Sequence, residues 1–261
     1  MKLSIITVNY NDATGLERTI KSVISQTFRD FEFIIIDGGS KDGSMDVIKQ
    51  YEDNIDFWVS EPDGGIYQGM NKGLRQSQGE YLNFMNSGDS FHSPDVLDII
   101  FSLYTDADII TGAHVGSTHP NVGKNGVTMY DLYTGAIDHQ ASFIKRELAF
   151  RHPYDEKYRI VSDWKFFIEA LIMDNCSFHY TDTIVVDVDM TGISNTERQR
   201  NNQERESVLR ELLPDRILAD YNRYGSIHPD LLYVSSRITK SLKLRKCLVC
   251  IARILLKFKG L

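Results

Sequence analysis

Two acidic turns, each at the end of an apolar run, constrain the fold of this 261-residue chain more than any other feature. The first lies within residues 34–44 (IIIDGGSKDGS) and the second within residues 81–89 (YLNFMNSGD). Each carries a strand-like run into a glycine-containing turn that bears a carboxylate. Ligands bind at the carboxyl ends of the strands in an open α/β sheet. We therefore expect both turns to converge on one polar ligand, with one carboxylate binding a ribose or base and the other a cation.

The composition is that of an ordinary globular protein, with 42% hydrophobic and 25% charged residues. The length accommodates one large domain or two halves that share a core. The three cysteines, Cys176, Cys247 and Cys250, lack the spacing of a secreted disulfide scaffold, which favours a reducing compartment. The N-terminus is typical of a strand rather than a signal peptide, and no apolar run approaches the ~20 residues of a membrane-spanning helix. The sequence therefore predicts a cytoplasmic protein.

Charge is distributed unevenly along the chain. The net charge is −7, yet residues 231–261 contain eight basic residues and no acidic one. An acidic body with a basic tail does not match the basic main face of a nucleic-acid-binding protein. In the tail, apolar residues recur at helical spacing and basic residues lie on another face: Leu244, Leu248, Ile251, Leu255 and Phe258 against Lys246, Arg253 and Lys257. This pattern predicts a helix on anionic lipid at the inner face of the cell membrane. Packing on the body or on a second copy is the alternative.

Hydrophobic periodicity alternates between strand and helix over the first third of the chain. It predicts strands at 3–8, 32–36, 57–60 and 80–85, and helices at 14–26, 44–51 and 66–76. This alternation indicates a parallel, doubly wound α/β sheet.

The pattern is looser in the remainder of the chain. It predicts strands at 107–111, 140–144 and 183–188, and helices at 163–173, 203–223 and 229–258. Residues 112–138 are rich in Gly, Asn and Thr, and are expected to form a long functional loop or short hairpins. The stretch 195–206 is almost entirely polar and is expected to be mobile.

Short motifs follow one another at 4–11, 22–27, 36–44, 60–67, 71–73, 79–81, 86–89, 139–140, 154–159 and 162–164. In this order and spacing they resemble family 2 glycosyltransferases of the GT-A fold, and more closely bacterial enzymes that build colanic acid, capsule or O-antigen polysaccharides. The resemblance covers residues 1–195. It implies a mostly parallel, Rossmann-like doubly wound sheet, with a nucleotide-sugar-binding half over 1–112, an acceptor-binding and catalytic half over 113–200, and a C-terminal helical extension over 201–261.

The resemblance also implies a reaction. A sugar would be transferred with inversion from a nucleotide-sugar donor, expected to be a UDP-sugar, to a hydroxyl of a glycan or lipid-linked glycan acceptor in bacterial cell-surface polysaccharide synthesis. The implied cofactor is a divalent cation, Mn2+ or Mg2+. No nucleic-acid partner is expected.

Several positions are predicted to bind the nucleotide sugar: Thr7, Asn9, Tyr10, Asp37, Asp63, Asn71, Lys72 and Asn86. Asp37 ends a buried strand, and the resemblance implies that it accepts a hydrogen bond from the base or ribose. The alternative is a carboxylate that caps the following glycine turn through backbone amides. Lys72 is expected to neutralise a phosphate oxygen, and a solvated helix lysine is its alternative.

The segment 86–89 stands where the family usually has an acidic Asp-x-Asp cluster that holds a hard cation through oxygen atoms. Here Asn86 and Gly88 occupy positions where carboxylates are expected, so only Asp89 is charged. We expect Asp89 to be the main protein ligand of Mn2+ or Mg2+, with the diphosphate supplying further oxygens. Fewer carboxylates predict weak metal affinity without the nucleotide. The alternative is a turn aspartate with a local capping role.

Asp163 precedes an apolar helical run and matches the family's general base, which takes the proton from the acceptor hydroxyl. Its alternative role is an N-cap of that helix. His139 and Gln140 match a pair that the family places near the acceptor cleft, and we expect them to bind the acceptor. A buried structural histidine is the alternative for His139.

Two other functions remain open on the residues alone. A sugar nucleotidyltransferase is expected to have a glycine-rich basic loop after the first strand, which residues 9–12 (NYND) do not provide. A catalytically impaired nucleotide-sugar-binding protein is suggested by the depleted acidic segment, although Asp163 counts against it. A dinucleotide oxidoreductase is disfavoured because no Gly-x-Gly-x-x-Gly follows the first strand.

Overall fold

The computed structural model describes residues 1–103, 105–116, 126–192, 196–224, 246 and 249–250. The described strands are β1 (Leu3–Asn9), β2 (Phe31–Asp37), β3 (Phe57–Ser60), β4 (Tyr81–Phe84), β5 (Ser90–Phe91), β6 (Ile109–Val115), β7 (Ser142–Lys145) and β8 (Phe178–Asp187). The described helices are α1 (Ala13–Ile24), α2 (Ser44–Gln50), α3 (Ile66–Gln76), α4 (Val96–Ser102), α5 (Met129–Thr134), α6 (Arg146–Arg151), α7 (Ser162–Phe167), α8 (Arg198–Leu212) and α9 (Asp215–Tyr224). A π-helix, Ile168–Met173, continues α7, and short 3-10 turns lie at Glu52–Asn54 and His139–Ala141.

The strands form one eight-stranded sheet in the order β3-β2-β1-β4-β7-β6-β8-β5. The first four strands of this order are parallel, and β1 pairs with β2 from Leu3↔Phe31 to Asn9↔Asp37. Every residue of β1 is buried, as expected for a parallel strand that is covered on both faces. The predicted mostly parallel α/β sheet is confirmed, and its parallel half places the ends of β1, β2 and β4 at one edge.

The second half of the sheet is mixed. Strand β7 is antiparallel to both β4 and β6, while β6 is parallel to β8. The expectation of a loop or hairpins over 112–138 is wrong at its two ends, where β6 runs on to Val115 and α5 spans Met129–Thr134. Strand β8 begins at Phe178, earlier than predicted, because pairing with β6 holds its polar first half. The predicted boundary at residue 112 falls within β6, so both halves share one sheet.

The polar stretch 195–206 is expected to be mobile, but from Arg198 it forms the first part of α8, whose remainder lies within the predicted helix over 203–223. This helix buries only Val208 and Leu209, so apolar periodicity gave little signal. Its polar side chains instead bind other elements. The Glu204 carboxylate accepts hydrogen bonds from the backbone of Arg159 and Ile160 at 3.2 and 2.9 Å.

One compact unit comprises residues 1–212, and a second comprises residues 213–261. In the second unit the description covers α9 and a few later residues. The predicted helix over 229–258, including its basic amphipathic face, lies outside the described residues apart from Lys246, Val249 and Cys250. Among the described helices, none has the length and hydropathy to cross a membrane.

Candidate functional site

The acidic turn after β4 is tied to the segment that follows β8. Asp89 is only 4% exposed, and its carboxylate accepts hydrogen bonds from Gln140 Nε2 at 3.0 Å and from the backbone nitrogen of Asp189 at 2.8 Å. Arg18 also holds the turn, because its side chain donates to the backbone oxygen of Gly88 and pairs with Asp189 at 2.6 Å. Burial raises the pKa of Asp89 to about 6, although both donors lower it.

Glycine is required at position 88 for two reasons. Its φ of +97° is a left-handed conformation, and a Cβ atom would lie 3.0 Å from the Asp189 carboxylate. The carboxylate of Asp189 thus lies beside the position where the family's second acidic side chain is expected. Both oxygens of Asp189 already bind Arg18 or Thr191.

The donor set of this turn suits a hard divalent cation. Among the described residues, no group of three or more His, Cys, Asp or Glu side chains could hold a metal ion. However, the buried Oδ1 atom of Asn86 has no hydrogen-bond partner among these residues. Together with Asp89 it provides one charged and one neutral oxygen donor, which fits a Mn2+ or Mg2+ ion that draws its other ligands from a diphosphate.

Asp163 lies in the first turn of α7 with both carboxylate oxygens hydrogen-bonded. Oδ1 is 2.7 Å from the Tyr67 hydroxyl, and Oδ2 is 2.9 Å from His139 Nδ1. Burial alone would raise the pKa of Asp163, but the hydrogen bond and charge of His139 and the bond from Tyr67 lower it overall. The N-cap of α7 is Val161, without a side-chain cap bond. The capping alternative for Asp163 is therefore not supported.

The adjacent residues His139 and Gln140 join the two parts of the site. His139 contacts Asp163 through Nδ1, and its Nε2 atom is 3.1 Å from the amide nitrogen of Asn86. Gln140 donates to Asp89. One short 3-10 turn thus connects the predicted base to Asn86 and Asp89 of the acidic turn.

The first acidic turn is organised around Asp37. This fully buried carboxylate accepts five hydrogen bonds, from Asn9 Nδ2, the backbone nitrogens of Gly39 and Ser40, and the hydroxyls of Ser40 and Ser60. Burial would raise the pKa of Asp37, but these donors lower it. The contacts are those of the turn-capping alternative, and the predicted contact with a base or ribose stays a prediction.

Other predicted donor-site residues divide into two groups. Tyr10 is 67% exposed at the end of β1, and a Cβ atom on Gly38 would lie 3.2 Å from both its ring and the Asp63 carboxylate. Gly38 therefore leaves space between Tyr10 and Asp63. In contrast, Thr7 is fully buried and donates to the backbone oxygen of Met85 at 2.7 Å.

Residues 71 and 72 on α3 are engaged within the protein. The Asn71 amide donates to the backbone oxygen of Tyr154 at 2.8 Å and accepts from its backbone nitrogen at 3.0 Å. Lys72 pairs with Glu61 at 3.0 Å, with its side chain 20% exposed. Asn71 thus anchors α3 to the loop before α7, while Lys72 can reach a phosphate only by leaving Glu61.

Three residues that the sequence reasoning did not assign support Asp163. Tyr67 binds it directly, although it lies 96 positions away in the chain. Arg205 stacks on the ring of Trp164, with the guanidinium carbon 4.1 Å from the ring centroid, and donates to the backbone oxygens of residues 132 and 135. Lys165 is buried and pairs with Glu211 of α8 at 2.6 Å. Of these three residues, only Tyr67 lies within a motif of the sequence, the one at 60–67, that could have indicated its role.

The sequence model of glycosyl transferase family 2 matches residues 4–171. This chain belongs to glycosyl transferase family 2. A PGL/p-HBAD biosynthesis glycosyltransferase of Mycobacterium bovis is 30% identical over 203 residues, which cover 74% of this chain and 79% of that relative. An uncharacterised glycosyltransferase of Mycobacterium tuberculosis is 29% identical over 253 residues, covering 91% of this chain and 88% of the relative.

Solved structures show the GT-A glycosyltransferase fold of this family 2 chain. Staphylococcus aureus TarS 1-349 in complex with UDP-GlcNAc has a TM-score of 0.64 at 19% identity, and the match covers 75% of this chain and 61% of that one. The mannosyltransferase PcManGT of Pyrobaculum calidifontis, in complex with GDP-Man and Mn2+, has a TM-score of 0.64 at 14% identity, with 97% of this chain and 85% of that chain covered. The expected GT-A fold is therefore confirmed.

Proposed function

We propose that this protein is an inverting, metal-dependent glycosyltransferase that moves a sugar from a UDP-sugar to a hydroxyl of a glycan or lipid-linked glycan. One observation carries the proposal: His139 and Gln140, adjacent in the chain, join Asp163 to the turn that contains Asp89. Sugar transfer needs a base at the acceptor and charge neutralisation at the leaving diphosphate, held together in a fixed geometry. Membership of glycosyl transferase family 2 supports the same reaction class.

Asp163 acts as the general base in this proposal. It takes the proton of the acceptor hydroxyl, whose oxygen attacks the anomeric carbon of the donor sugar. The bond from that carbon to the diphosphate breaks, and its electron pair leaves with the nucleoside diphosphate. One in-line displacement inverts the anomeric configuration. The lowered pKa keeps Asp163 ionised, and its 20% side-chain exposure leaves it accessible to an acceptor.

The donor binds at the ends of β1, β2 and β4. The exposed ring of Tyr10 offers a surface on which a base can stack, and Asp63 lies beside it. Asp37, Asn9 and Thr7 hold these strand ends in place. TarS was solved with UDP-GlcNAc and a mycobacterial glucosyl-3-phosphoglycerate synthase with UDP and Mn2+, which supports a UDP-sugar. The GDP-Man complex of PcManGT makes GDP the necessary comparison.

Asp89 holds the divalent cation in this proposal, and Asn86 Oδ1 adds a neutral oxygen. A bound cation would neutralise charge on the departing diphosphate. Gln140 keeps the Asp89 carboxylate in position, and His139 does the same for Asp163. A role in bacterial cell-surface polysaccharide synthesis at the inner face of the membrane completes the proposal. It rests on the resemblance and on the basic tail.

Calorimetric titration of UDP, with GDP as the comparison, tests the donor site with and without Mn2+. UDP binding should require Mn2+ and be lost in Asp89→Ala. Asp53→Ala is the matched control, because Asp53 is exposed in the 3-10 turn before β3, at the opposite edge of the sheet. Asp163→Asn should retain UDP binding but lose release of UDP from UDP-sugars in the presence of acceptor.

Each contrary outcome identifies a different error. Metal-independent UDP binding that is unaffected in Asp89→Ala contradicts the metal site. Tight binding of GDP without UDP contradicts the donor. Absence of binding to either nucleotide contradicts the transferase itself, and unchanged turnover in Asp163→Asn contradicts the assignment of the base.

A further inference from the structure

The hydroxyl of Tyr67 lies between two oxygen atoms that both accept hydrogen bonds. Its Oη atom is 2.7 Å from Asp163 Oδ1 and 2.6 Å from the backbone oxygen of Ile160. Burial, reinforced by the charge of Asp163, raises the pKa of Tyr67 well above its ordinary value, so the phenol keeps its proton. A phenol carries only one proton. While Asp163 is ionised, only one of the two short contacts can be a well-aligned hydrogen bond.

Protonation of Asp163 supplies the missing proton. The Oδ2 atom is already occupied by the N–H of His139, so a proton on the carboxyl group belongs on Oδ1. From there it donates to Tyr67 Oη, and Tyr67 in turn donates to the Ile160 carbonyl. Both short contacts are then hydrogen bonds. This is the state that a general base reaches when it has just taken a proton from its substrate.

We propose that Tyr67 is a positioning residue whose hydroxyl donates to ionised Asp163 and turns to the Ile160 carbonyl once Asp163 is protonated. That this proton comes from the acceptor hydroxyl rests on the proposed function. The rotation of the hydroxyl itself involves only Tyr67, Asp163 and Ile160. A buried carboxyl group destabilises the protein in any protonation state that leaves it without a hydrogen-bond partner. Rotation of the Tyr67 hydroxyl about its C–O bond keeps Asp163 Oδ1 hydrogen-bonded in both protonation states without moving any heavy atom.

In the described part of the chain, the titratable and charged groups that face Asp163 come from four elements: Tyr67 of α3, His139 of the 3-10 turn, Tyr154 of the loop before α7, and Arg205 of α8. Of the two that are hydrogen-bonded to Asp163, His139 offers an N–H that can only donate. Tyr67 offers an oxygen that both donates and accepts, with a second acceptor on its far side. Among the described contacts of Asp163, Tyr67 is therefore the one suited to follow a change of protonation.

The carbonyl of Ile160 can be observed directly by nuclear magnetic resonance. Labelling with carbonyl-13C isoleucine and 15N valine selects Ile–Val pairs, of which the sequence has two, Ile160–Val161 and Ile184–Val185. Asp163→Asn mimics the protonated base. The N–H of His139 requires an acceptor, so the amide oxygen of the asparagine should face His139 and its NH2 group should face Tyr67. We expect the Ile160 carbonyl resonance to move to higher frequency in Asp163→Asn, while the Ile184 resonance stays in place.

The same comparison in a Tyr67→Phe background provides the control. There the Ile160 resonance should no longer respond to Asp163→Asn. An Ile160 resonance that ignores Asp163→Asn, or that still responds without the Tyr67 hydroxyl, overturns the proposal. Should Tyr67→Phe fail to fold, the comparison of wild type with Asp163→Asn decides by itself. No substrate is needed, so this result is independent of whether the proposed function is correct.

Turnover gives a second test, with Tyr154→Phe as a matched variant. Tyr154 is also buried, its ring centroid is 5.4 Å from that of Tyr67, and its hydroxyl has no hydrogen-bond partner among the described residues. Tyr67→Phe should lower kcat about 10- to 100-fold, move the acid limb of the pH profile to higher pH and leave UDP binding unchanged. Tyr154→Phe should keep wild-type kcat. Equal losses in both variants, or an unmoved acid limb in Tyr67→Phe, contradict the proposal.

Discussion

His139 Nδ1 lies 2.9 Å from Asp163 Oδ2, and the two side chains are only 11% and 20% exposed. Burial on its own would lower the pKa of His139, but the hydrogen bond and charge of Asp163 raise it overall. The same contact helps to lower the pKa of Asp163. The charged forms of both residues thus stabilise each other. A second proton on His139 lies on Nε2, so in the metal-free protein the Asn86 amide must turn its unpartnered oxygen toward that atom.

Replacement of His139 by alanine should destabilise the protein most near pH 6. It leaves Asp163 with the Tyr67 hydroxyl but without its charged partner, and loss of one member of a buried ion pair typically costs about 3–5 kcal/mol. A raised pKa means that the contribution of His139 is present below its unfolded pKa and is lost as pH rises through its folded pKa. The contribution of Asp163, whose pKa is lowered, is lost as pH falls through its folded pKa.

The difference in unfolding free energy between wild type and His139→Ala should therefore narrow at pH 9. Urea unfolding at pH 6 and pH 9 measures it. His179→Ala, on β8 outside the site, should show little difference at either pH. A loss in His139→Ala that is the same at both pH values would contradict a charged pair.

Asp89→Asn should stabilise the nucleotide-free protein at pH 8 while abolishing metal-dependent UDP binding. A pKa raised to about 6 means that ionisation of Asp89 opposes folding as pH rises above its unfolded value. The neutral amide can keep both contacts, accepting from the Asp189 backbone and donating to a flipped Gln140 amide. We expect a gain of about 1–3 kcal/mol at pH 8 that disappears near pH 4. Thermal unfolding at the two pH values measures the gain, and equal effects at both would rule out this origin.

Arg205→Lys should weaken the support of the catalytic turn. Arg205 stacks on Trp164, the residue after Asp163, and donates to two backbone oxygens with one guanidinium nitrogen. Burial lowers the pKa of Arg205 to about 10. A lysine cannot keep the planar stack together with both bonds, so we expect a loss of about 2 kcal/mol. Arg198→Lys on the exposed surface of α8 is the control, and chemical unfolding measures both. Equal stability of the two variants would contradict the role of Arg205.

Glu211→Gln should destabilise the protein at neutral pH by removing one of the two carboxylates that lie within 2.8 Å of the Lys165 ammonium, the other being Asp155. Hydrogen bonds from Lys157 and then Lys165 lower the pKa of Glu211 to about 2. The Glu211 side chain is 37% exposed, so solvent screens the pair and we expect about 1–2 kcal/mol at pH 7. Because the pKa is lowered, this contribution is present above the unfolded value and shrinks as pH falls toward 2. Thermal unfolding at pH 7 and pH 3 follows it, and a loss in Glu211→Gln that is the same at both pH values would contradict this origin.

Local patterns predicted the parallel half of the sheet closely. The apolar runs before Asp37 and Asp89 end at the same edge, as expected from parallel strands with helical connections. Helix α1 begins slightly earlier than its predicted start, because Asp12 caps it by accepting from the backbone of Gly15 at 3.0 Å. The predicted helix over 203–223 includes most of α8 but misses its start at Arg198, because this helix is held by ion pairs and by capping of distant backbone rather than by an apolar face.

The sequence by itself determined the family, the strand ends that bear Asp37 and Asp89, and the place of Asp163 before an apolar helix, because each depends on local spacing and composition. Only the tertiary structure decided which partners these carboxylates have. Asp163 meets Tyr67 and His139, and Asp89 meets Gln140 and Asp189, across separations of 24 to 100 positions. The protonation of a buried carboxylate depends on the donors and charges within a few ångströms of it. Sheet order and helix packing bring these groups together, and no short segment of the sequence specifies either of them.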